Sequence, residues 1–339
     1  MSGPPGPISC LPLTGIGEIR AGDNLADVLS AATPLLDGDI LVVTSKVISK
    51  AEGRVLTRDR TEALADETDR VVATRGNTSI VRTHHGLVMA AAGIDASNTA
   101  PGTVVLLPVD PDESARALRE RIASAGGPNV AIVISDTSGR AWRNGQTDIA
   151  IGAAGLQVIH GYGGRTDDYG NLLAVTAPAV ADEIAGTGDL VKGKLDRSPA
   201  AVLRGLAHLV LDPGSHGPGA RMLIRDEADD MFGHGAREAV LHAVKTEPEA
   251  RRGFGRRAPA EELVTALAAL CGTEHVRTTS ADEVEIRVAA GAGEADQRTL
   301  GGLEARLTTV AFAMGWTCTT TDPSVPGLDL MLRFGAPTP

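Results

Sequence analysis

The sequence predicts an α/β chain followed by a small α+β unit. Two observations predict the first part. Short unbroken apolar runs, among them Ile40–Thr44, Val104–Leu107 and Val130–Ile134, read as strands, and the stretches between them carry helical spacing. The third observation is a Pro/Gly/Ser-rich break, DPGSHGPG at Asp212–Gly219, after which composition shifts and a shorter set of elements follows.

Composition sets the outer bounds. The chain has 339 residues, enough for two domains, with an ordinary hydrophobic content that can build a sizeable core. Aromatic residues make up only 2%, which argues against base stacking as a binding mode. The formal net charge of −11 argues against broad binding to a phosphate backbone, while leaving room for a local basic pocket around a nucleotide. No nucleic-acid partner is therefore expected. Cys10, Cys271 and Cys318 are isolated and form no Cys-x-x-Cys pair, so a zinc knuckle or redox dithiol is unsupported and a reducing compartment fits. The start, MSGPPGPISC, has neither a basic nor an apolar signal region, and no run approaches transmembrane length. A cytoplasmic protein without a membrane partner is expected.

Taken in order, residues 1–7 read as a leader and Ile8–Leu13 as a first strand. Thr14–Gly22 is a glycine-bearing turn. Asp23–Ala32 is a helix with Leu25, Val28 and Leu29 on one face, and Gly38-Asp39 introduces the strand Ile40–Thr44. Ser45, Lys46 and Lys50 follow that strand and could hold phosphate, or could equally be surface lysines near a helix start. Thr61–Thr74 reads as a polar helix and Val81–Ala92 as mostly strand. His84 and His85 there are not expected to share one metal ion, because neighbours on a strand point to opposite faces. Gly93–Asn98 is a loop bearing Asp95. A helix begins near Asp110, capped by Asp112 or Ser114, and runs to about Ala125.

Val130–Ile134 is the strand the chain is organised around, and it reads as buried on both faces. Ser135, Asp136, Thr137 and Ser138 stand at its end, and Gly139 lets the chain turn toward Arg140 and Arg143. Polar groups at the rim of a sheet are where ligands commonly bind. A carboxylate, hydroxyls and two guanidiniums so close together suit a metal and a phosphate; they also suit a solvated, salt-bridged loop, and the segment alone favours neither. Gly161–Asn171 is a glycine-rich loop carrying Arg165, Asp167 and Asp168. Ala179–Ala185 is helical, Gly188–Arg197 carries Lys192 and Lys194, and Ala200–Arg204 is a further strand. Beyond the break, Asp226–Ala243 reads as a helix and Glu247–Ala258 as an arginine-bearing linker. The helices Glu261–Leu270 and Leu300–Met314 and the strands Val284–Val288 and Leu328–Phe334 complete the smaller unit.

Several common motifs are missing. There is no G-x-x-x-x-G-K-S/T phosphate loop, and Gly15-Ile16-Gly17 lacks the third glycine of a dinucleotide fingerprint. Neither an H-E-x-x-H pair nor a G-x-S-x-G elbow occurs. A nucleotide site in this chain must be of an unusual kind.

Four segments taken together do have a likeness: GDILVVTSKVISKAEGR, MAAAGIDASN, ISDTSGRAWRNGQTDIAIG and the loop Gly-Arg-Thr-Asp-Asp-Tyr-Gly. Their order and spacing resemble the coenzyme F420-0:L-glutamate ligase family over roughly residues 8–245. The resemblance implies an α/β fold with mixed sheets and a homodimer that shares its cleft. It divides the chain into a ligase domain at 1–245, a linker at 246–258 and a small unit at 259–339.

The activity implied is GTP-dependent addition of L-glutamate to F420-0, and of further γ-linked glutamates to F420-1, through an acyl phosphate. Mg²⁺ or Mn²⁺ and a monovalent cation such as K⁺ would be required. By motif matching, Asp95, Asp136 and Thr137 would ligate metal, as hard oxygen donors should. Ile16, Gly17, Glu18, Ile19, Ser45, Lys46, Lys50, Asn98, Lys192, Gly193 and Lys194 would line the GTP site. Asp136 would be catalytic, with Arg140, Arg143 or Arg165 holding a substrate carboxylate or phosphate. Relatives often carry Gln or an acidic metal ligand after Gly193, where this chain has Lys194, which cannot ligate metal.

Actinobacterial members often add a flavin-binding, nitroreductase-like domain. RRGFGRR at Arg251–Arg257 and Leu300–Trp316 resemble parts of it. The unit is read as a shortened remnant without FMN, serving packing or dimer support. Two other readings stay open, namely a flavoprotein oxidoreductase and a non-catalytic nucleotide-binding relative.

Overall fold

The computed structural model describes residues 7–96, 100–173, 176–193, 198–289, 297–321 and 328–337. The chain forms two compact units, Met1–Ile224 and Arg225–Pro339.

The first unit runs β1 (Ser9–Leu13), α1 (Leu25–Ala32), β2 (Ile40–Thr44), α2 (Ser45–Ala51), β3 (Val55–Thr57), α3 (Arg60–Glu67) and β4 (Thr68–Arg75). It continues with β5 (Thr78–Thr83), β6 (Val88–Ala90), β7 (Thr103–Val105), α4 (Pro111–Ser124), β8 (Ala131–Gly139), β9 (Gln146–Ala154), β10 (Arg165–Thr166), β11 (Leu172–Leu173), α5 (Val180–Lys192) and β12 (Ala200–Arg204). The central sheet has the order β1-β12-β2-β8-β9. Only β2 and β8 pair in parallel, with Ile40 opposite Ala131 and Thr44 opposite Ser135; the other three pairings are antiparallel. The sheet is therefore mixed, as the resemblance implied.

Strand alternation sends successive side chains to opposite faces, and both faces of this sheet are covered. Leu41, Val43, Ile132, Ile134 and Val202 pack with Leu29 of α1 and Leu118 and Ile122 of α4. Ile40, Val42, Ala131, Val133 and Leu203 pack with Ala181, Ile184 and Ala185 of α5. Burial on both faces is why these strands read as unbroken apolar runs. The helix α5 lies close against the sheet because Gly188 has no side chain. A Cβ there would stand 2.8 Å from Cγ1 of Val42. Gly188→Val is expected to pry α5 away and cost about 1–3 kcal/mol, read as a lower urea midpoint; an unchanged midpoint would show that the contact is slack.

Several local expectations are corrected. The polar helix expected over Thr61–Thr74 stops at Glu67, and Thr68–Arg75 is the strand β4. Val71 and Val81 of β5 pair across that hairpin, so β-branched pairing overrode the charge pattern. The α4 cap is Asp110, which accepts from the Glu113 N–H, and not Asp112 or Ser114. Asp112 instead accepts from the backbone of Ala153, Ala220 and Arg221, tying β9 to the chain after the break. His84 and His85 lie in the turn after β5, and each bonds different backbone carbonyls.

The second unit contains α6 (Ala236–Lys245), α7 (Ala260–Cys271), β13 (Val276–Ser280), β14 (Glu283–Ala289), α8 (Gln297–Ala313), β15 (Thr317–Thr321) and β16 (Leu328–Gly335). Its sheet has the order β13-β14-β16-β15 and is antiparallel throughout. Leu263, Leu267, Ile286, Leu307, Trp316, Leu332 and Phe334 form its core. The boundary at 224/225 differs from the 245/246 division read from the sequence. The expected helix over Asp226–Ala243 is a 3-10 turn at Glu227–Asp229 followed by α6. The expected linker contains a 3-10 helix at Pro248–Phe254. It packs by side-chain contacts: Arg251 lies over the Phe312 ring, Phe254 meets Phe312 edge-on, and Arg257 covers Trp316. Arginines that read as linker polarity are thus cation–π partners of the small core.

Among the described residues no helix is long and apolar enough to cross a membrane.

Candidate active site

The carboxyl ends of the parallel pair β2 and β8 open into a cavity of about 590 Å³. Ligands favour such a position, where strand ends leave backbone and polar side chains at a rim. β2 passes directly into α2, so Ser45 and Lys46 stand in its first turn and Lys50 one turn further on. All three line the cavity, with Ile16, Gly17, Glu18 and Ile19 of the turn after β1 and Lys192 and Gly193 at the end of α5.

β8 itself does not end at Ile134. It continues as a strand through Gly139, paired with β9, so Ser135–Ser138 lie within the strand rather than beyond its end. Alternation then divides their roles. Asp136 shares the parity of Ile132 and Ile134 and accepts a hydrogen bond from the Ser45 hydroxyl at 2.8 Å. Ser135 and Thr137 face the other way and donate to the Asp148 carboxylate at 2.8 and 3.0 Å. Lys192 completes that cluster: its Nζ donates to Asp148 at 2.9 Å and to the Ser135 hydroxyl at 2.7 Å. The Lys192 and Asp148 side chains are each only 5% exposed.

Asp95 reaches the cavity from another direction. Its backbone bridges to Val105 of β7, and its carboxylate pairs with Lys46 at 2.6 Å. The chain enters Asp95 through three left-handed residues, Ala91, Ala92 and Gly93, with φ of 50°, 53° and 68°. Two alanines in that region are strained, and such strain persists only where surrounding structure imposes it. Lys50 pairs with Glu18, joining α2 to the glycine-bearing turn.

Loss of solvent pushes the Asp136 carboxyl up to about 6, and the negative charges of Asp148 and Asp95 add to the rise. Hydrogen bonds from Ser45 and the Thr137 backbone act in the opposite direction. Asp95 and Asp136 put carboxylate oxygens on the wall of one cavity, hard donors of the kind that Mg²⁺ or Mn²⁺ takes, and Thr137 lines the same cavity with its hydroxyl turned to Asp148. The lysines suit an anionic ligand beside it.

Of the residues expected at the site, Ile16, Gly17, Glu18, Ile19, Ser45, Lys46, Lys50, Asp95, Asp136, Thr137, Lys192 and Gly193 share this cavity. Asn98 and Lys194 lie outside the described residues. Arg140 and Arg165 are not among the lining residues. Arg140 is exposed in the turn after β8, where it donates to the Asn144 carbonyl, and Arg165 is exposed in β10 beside the Tyr162 ring. Arg140, only four residues past Asp136, sits on the connection that leaves the rim, so proximity in sequence did not carry it inward. Asp148 and Asp189 also line the cavity and were not singled out from the sequence. Asp148 left one signal, an acidic residue directly before the apolar run Ile149–Ala154 of β9.

Comparison with known proteins follows the same segments. The model of the family described as F420-0:Gamma-glutamyl ligase matches residues 15–65 and 56–205, more than half of the chain. The chain belongs to the F420-0:gamma-glutamyl ligase family. It is 38% identical over 237 residues to the coenzyme F420:L-glutamate ligase of Methanopyrus kandleri, covering 63% of this chain and 93% of that one. The counterpart from Archaeoglobus fulgidus is 38% identical over 220 residues, covering 59% and 88%. That of Methanothermobacter thermautotrophicus is 35% identical over 253 residues, covering 66% and 98%. Every cavity residue named above falls inside the family match.

Two outcomes test the electrostatics. A carboxyl with a raised pKa keeps its proton in the fold where the unfolded chain has lost it, so Asp136 costs stability as pH rises from about 4 through 6. Without divalent cation, Asp136→Asn should exceed the parent by about 3 kcal/mol well above pH 6 and match it near pH 4, as read by urea melts; a gap independent of pH would contradict this. Lys192→Met should leave Asp148 buried without its cation, at about 3–5 kcal/mol, with part of the loss recovered in Lys192→Met combined with Asp148→Asn.

Proposed function

We propose that this chain is a GTP-dependent ligase that joins L-glutamate to coenzyme F420-0 and adds further γ-linked glutamates to F420-1. The observation that carries the reading is the convergence of Asp95, Asp136, Thr137 and three lysines on one cavity, in a chain of this family. The relatives' names supply the substrate class, and the donor set supplies the means.

Making an amide from a carboxylate requires a better leaving group than oxide. In this reading the GTP γ-phosphoryl group passes to the terminal carboxylate of F420-0, giving an acyl phosphate and GDP. The neutral amine of L-glutamate then attacks the acyl carbon, the C–O bond to phosphate breaks, and the amine loses its proton as the amide forms. Asp95, Asp136 and Thr137 would hold Mg²⁺ or Mn²⁺, which neutralises phosphate oxygens when bound. Lys46, Lys50 and Lys192 add positive charge where the phosphates would lie. Lys46 pairs with Asp95 in the structure, which would place its ammonium beside a metal held by that carboxylate.

A homodimer completes the proposal. Trp142, Tyr169 and Leu172 are exposed near Arg140 and Arg165 in the chain, as expected of connections covered by a second subunit. There the two arginines could meet a substrate carboxylate.

The deciding experiment incubates the protein with F420-0, L-glutamate, GTP and Mn²⁺, following product mass and GDP. Increments of one or more glutamyl units are expected, abolished in Asp136→Ala. GTP binding without turnover would instead support a non-catalytic nucleotide-binding role. Arg165→Ala with unchanged kinetics for all three substrates would remove that residue from the site.

A further inference from the structure

We infer that the C-terminal unit carries its own divalent-cation site, built from His234, Glu238 and His242 and suited to zinc. The three residues follow one another at four-residue intervals, with His234 just before α6 and the other two on it. One ligand atom from each lies within 4.8 Å of the others. Nδ1 of His234 is 3.5 Å from one Glu238 oxygen, and Nε2 of His242 is 3.8 Å from the other. Around a tetrahedral zinc with bonds of about 2.1 Å, ligand atoms stand roughly 3.4 Å apart, so small side-chain rotations close the set.

The outer nitrogens make the case. Nε2 of His234 lies 2.7 Å from the Ala250 carbonyl oxygen, which only accepts, so this nitrogen carries the proton. Nδ1 of His242 lies 2.7 Å from a Glu247 carboxylate oxygen and donates in the same way. In neutral rings, the nitrogens left facing Glu238 hold lone pairs. These two nitrogens and a Glu238 oxygen are then the three donor atoms that lie together, the set a divalent ion between them would take. Two imidazoliums with ring centroids 5.0 Å apart would repel, whereas one divalent ion serves all three donors. Outer partners of this kind, a carbonyl and a carboxylate, orient metal-binding histidines and fix their tautomers.

The site is also held in shape. The Gly235 N–H donates to Glu238 at 3.1 Å and orients its carboxylate. The backbone at Gly253 closes on the His234 ring; a Cβ there would stand 2.2 Å from Nε2. Phe254 packs edge-on against the same ring. The His234 side chain is 3% exposed and that of His242 25%, so the site is closed behind and open on one side, where water can supply a fourth ligand. Imidazole with carboxylate selects zinc and its neighbours over Mg²⁺ or Ca²⁺. A bound ion would clamp α6 to the Pro248–Phe254 helix through Ala250 and Glu247.

The test uses the full chain, stripped with chelator and held in excess Mg²⁺ so that the oxygen donors of the first unit are occupied. Zinc is then added and counted, and Co²⁺ serves as the spectroscopic probe. One zinc per chain, visible bands of tetrahedral Co²⁺ and a higher melting temperature with zinc are expected, and Asp136→Asn should retain that zinc. His242→Gln, at a partly exposed position, should weaken binding by about 100-fold and abolish the zinc-dependent rise in melting; Glu247→Gln should weaken it by about 10-fold. Circular dichroism checks that both variants fold, and Glu247→Gln decides the question if His242→Gln does not fold. Zinc uptake equal in the parent and the folded variants, or no uptake below millimolar zinc, would overturn the site and leave the rings as protonated partners of Glu238 and Glu247.

Discussion

The buried pair of Lys192 and Asp148 is the interaction on which the rest of the first unit depends. It joins the last turn of α5 to β9, and Ser135 and Thr137 add β8 to the same cluster. A buried ion pair of this kind contributes little net stability over an apolar packing, because desolvation offsets most of its attraction. What it secures is position. Neither charge tolerates the loss of the other, so helix, sheet edge and cavity wall are held in one arrangement.

That arrangement turns one strand into two surfaces. The residues of β8 up to Ile134 are apolar on both sides and bury the strand completely. From Ser135 onward the same alternation places hydroxyls toward Asp148 and Lys192, and a carboxylate toward Ser45 and α2. The strand is therefore core for half its length and active-site wall for the remainder. Burial also raises the proton affinity of Asp136, so a cation bound there would relieve a charge that the fold itself disfavours. The electrostatic tension within the cavity and its capacity for metal have the same physical origin.

The second unit is organised differently. Its sheet is wholly antiparallel and its core is aliphatic and aromatic, with arginines stacked on Phe312 and Trp316. The family match ends at residue 205, before this unit begins. Its polar features therefore have to be explained by its own contacts. The two histidines and Glu238, each oriented by a separate partner, are the most constrained of these.

By itself the sequence determined the α/β class, the strands β2 and β12 to the residue, and the segments that supply the cavity. These follow from local signals: an apolar run bounded by Gly-Asp and Ser-Lys, or a carboxylate at a strand end, is visible without neighbours. Tertiary structure alone decided the remainder. Thr68–Arg75 is polar enough for a helix, yet pairing with β5 makes it a strand. Lys192 was legible as a basic residue but its partner was not, because Asp148 lies 44 positions away and the bond depends on α5 crossing β9. Arg140 shows the opposite case: only four positions from Asp136, it leaves the cavity on an exposed turn, while Arg165 lies exposed in β10. The spacing of His234, Glu238 and His242 was present in the sequence, but only the acceptors at Ala250 and Glu247 turn it into convergent lone pairs. Charge and hydrogen bonding act through space, and a linear chain records which groups it carries without recording which of them meet.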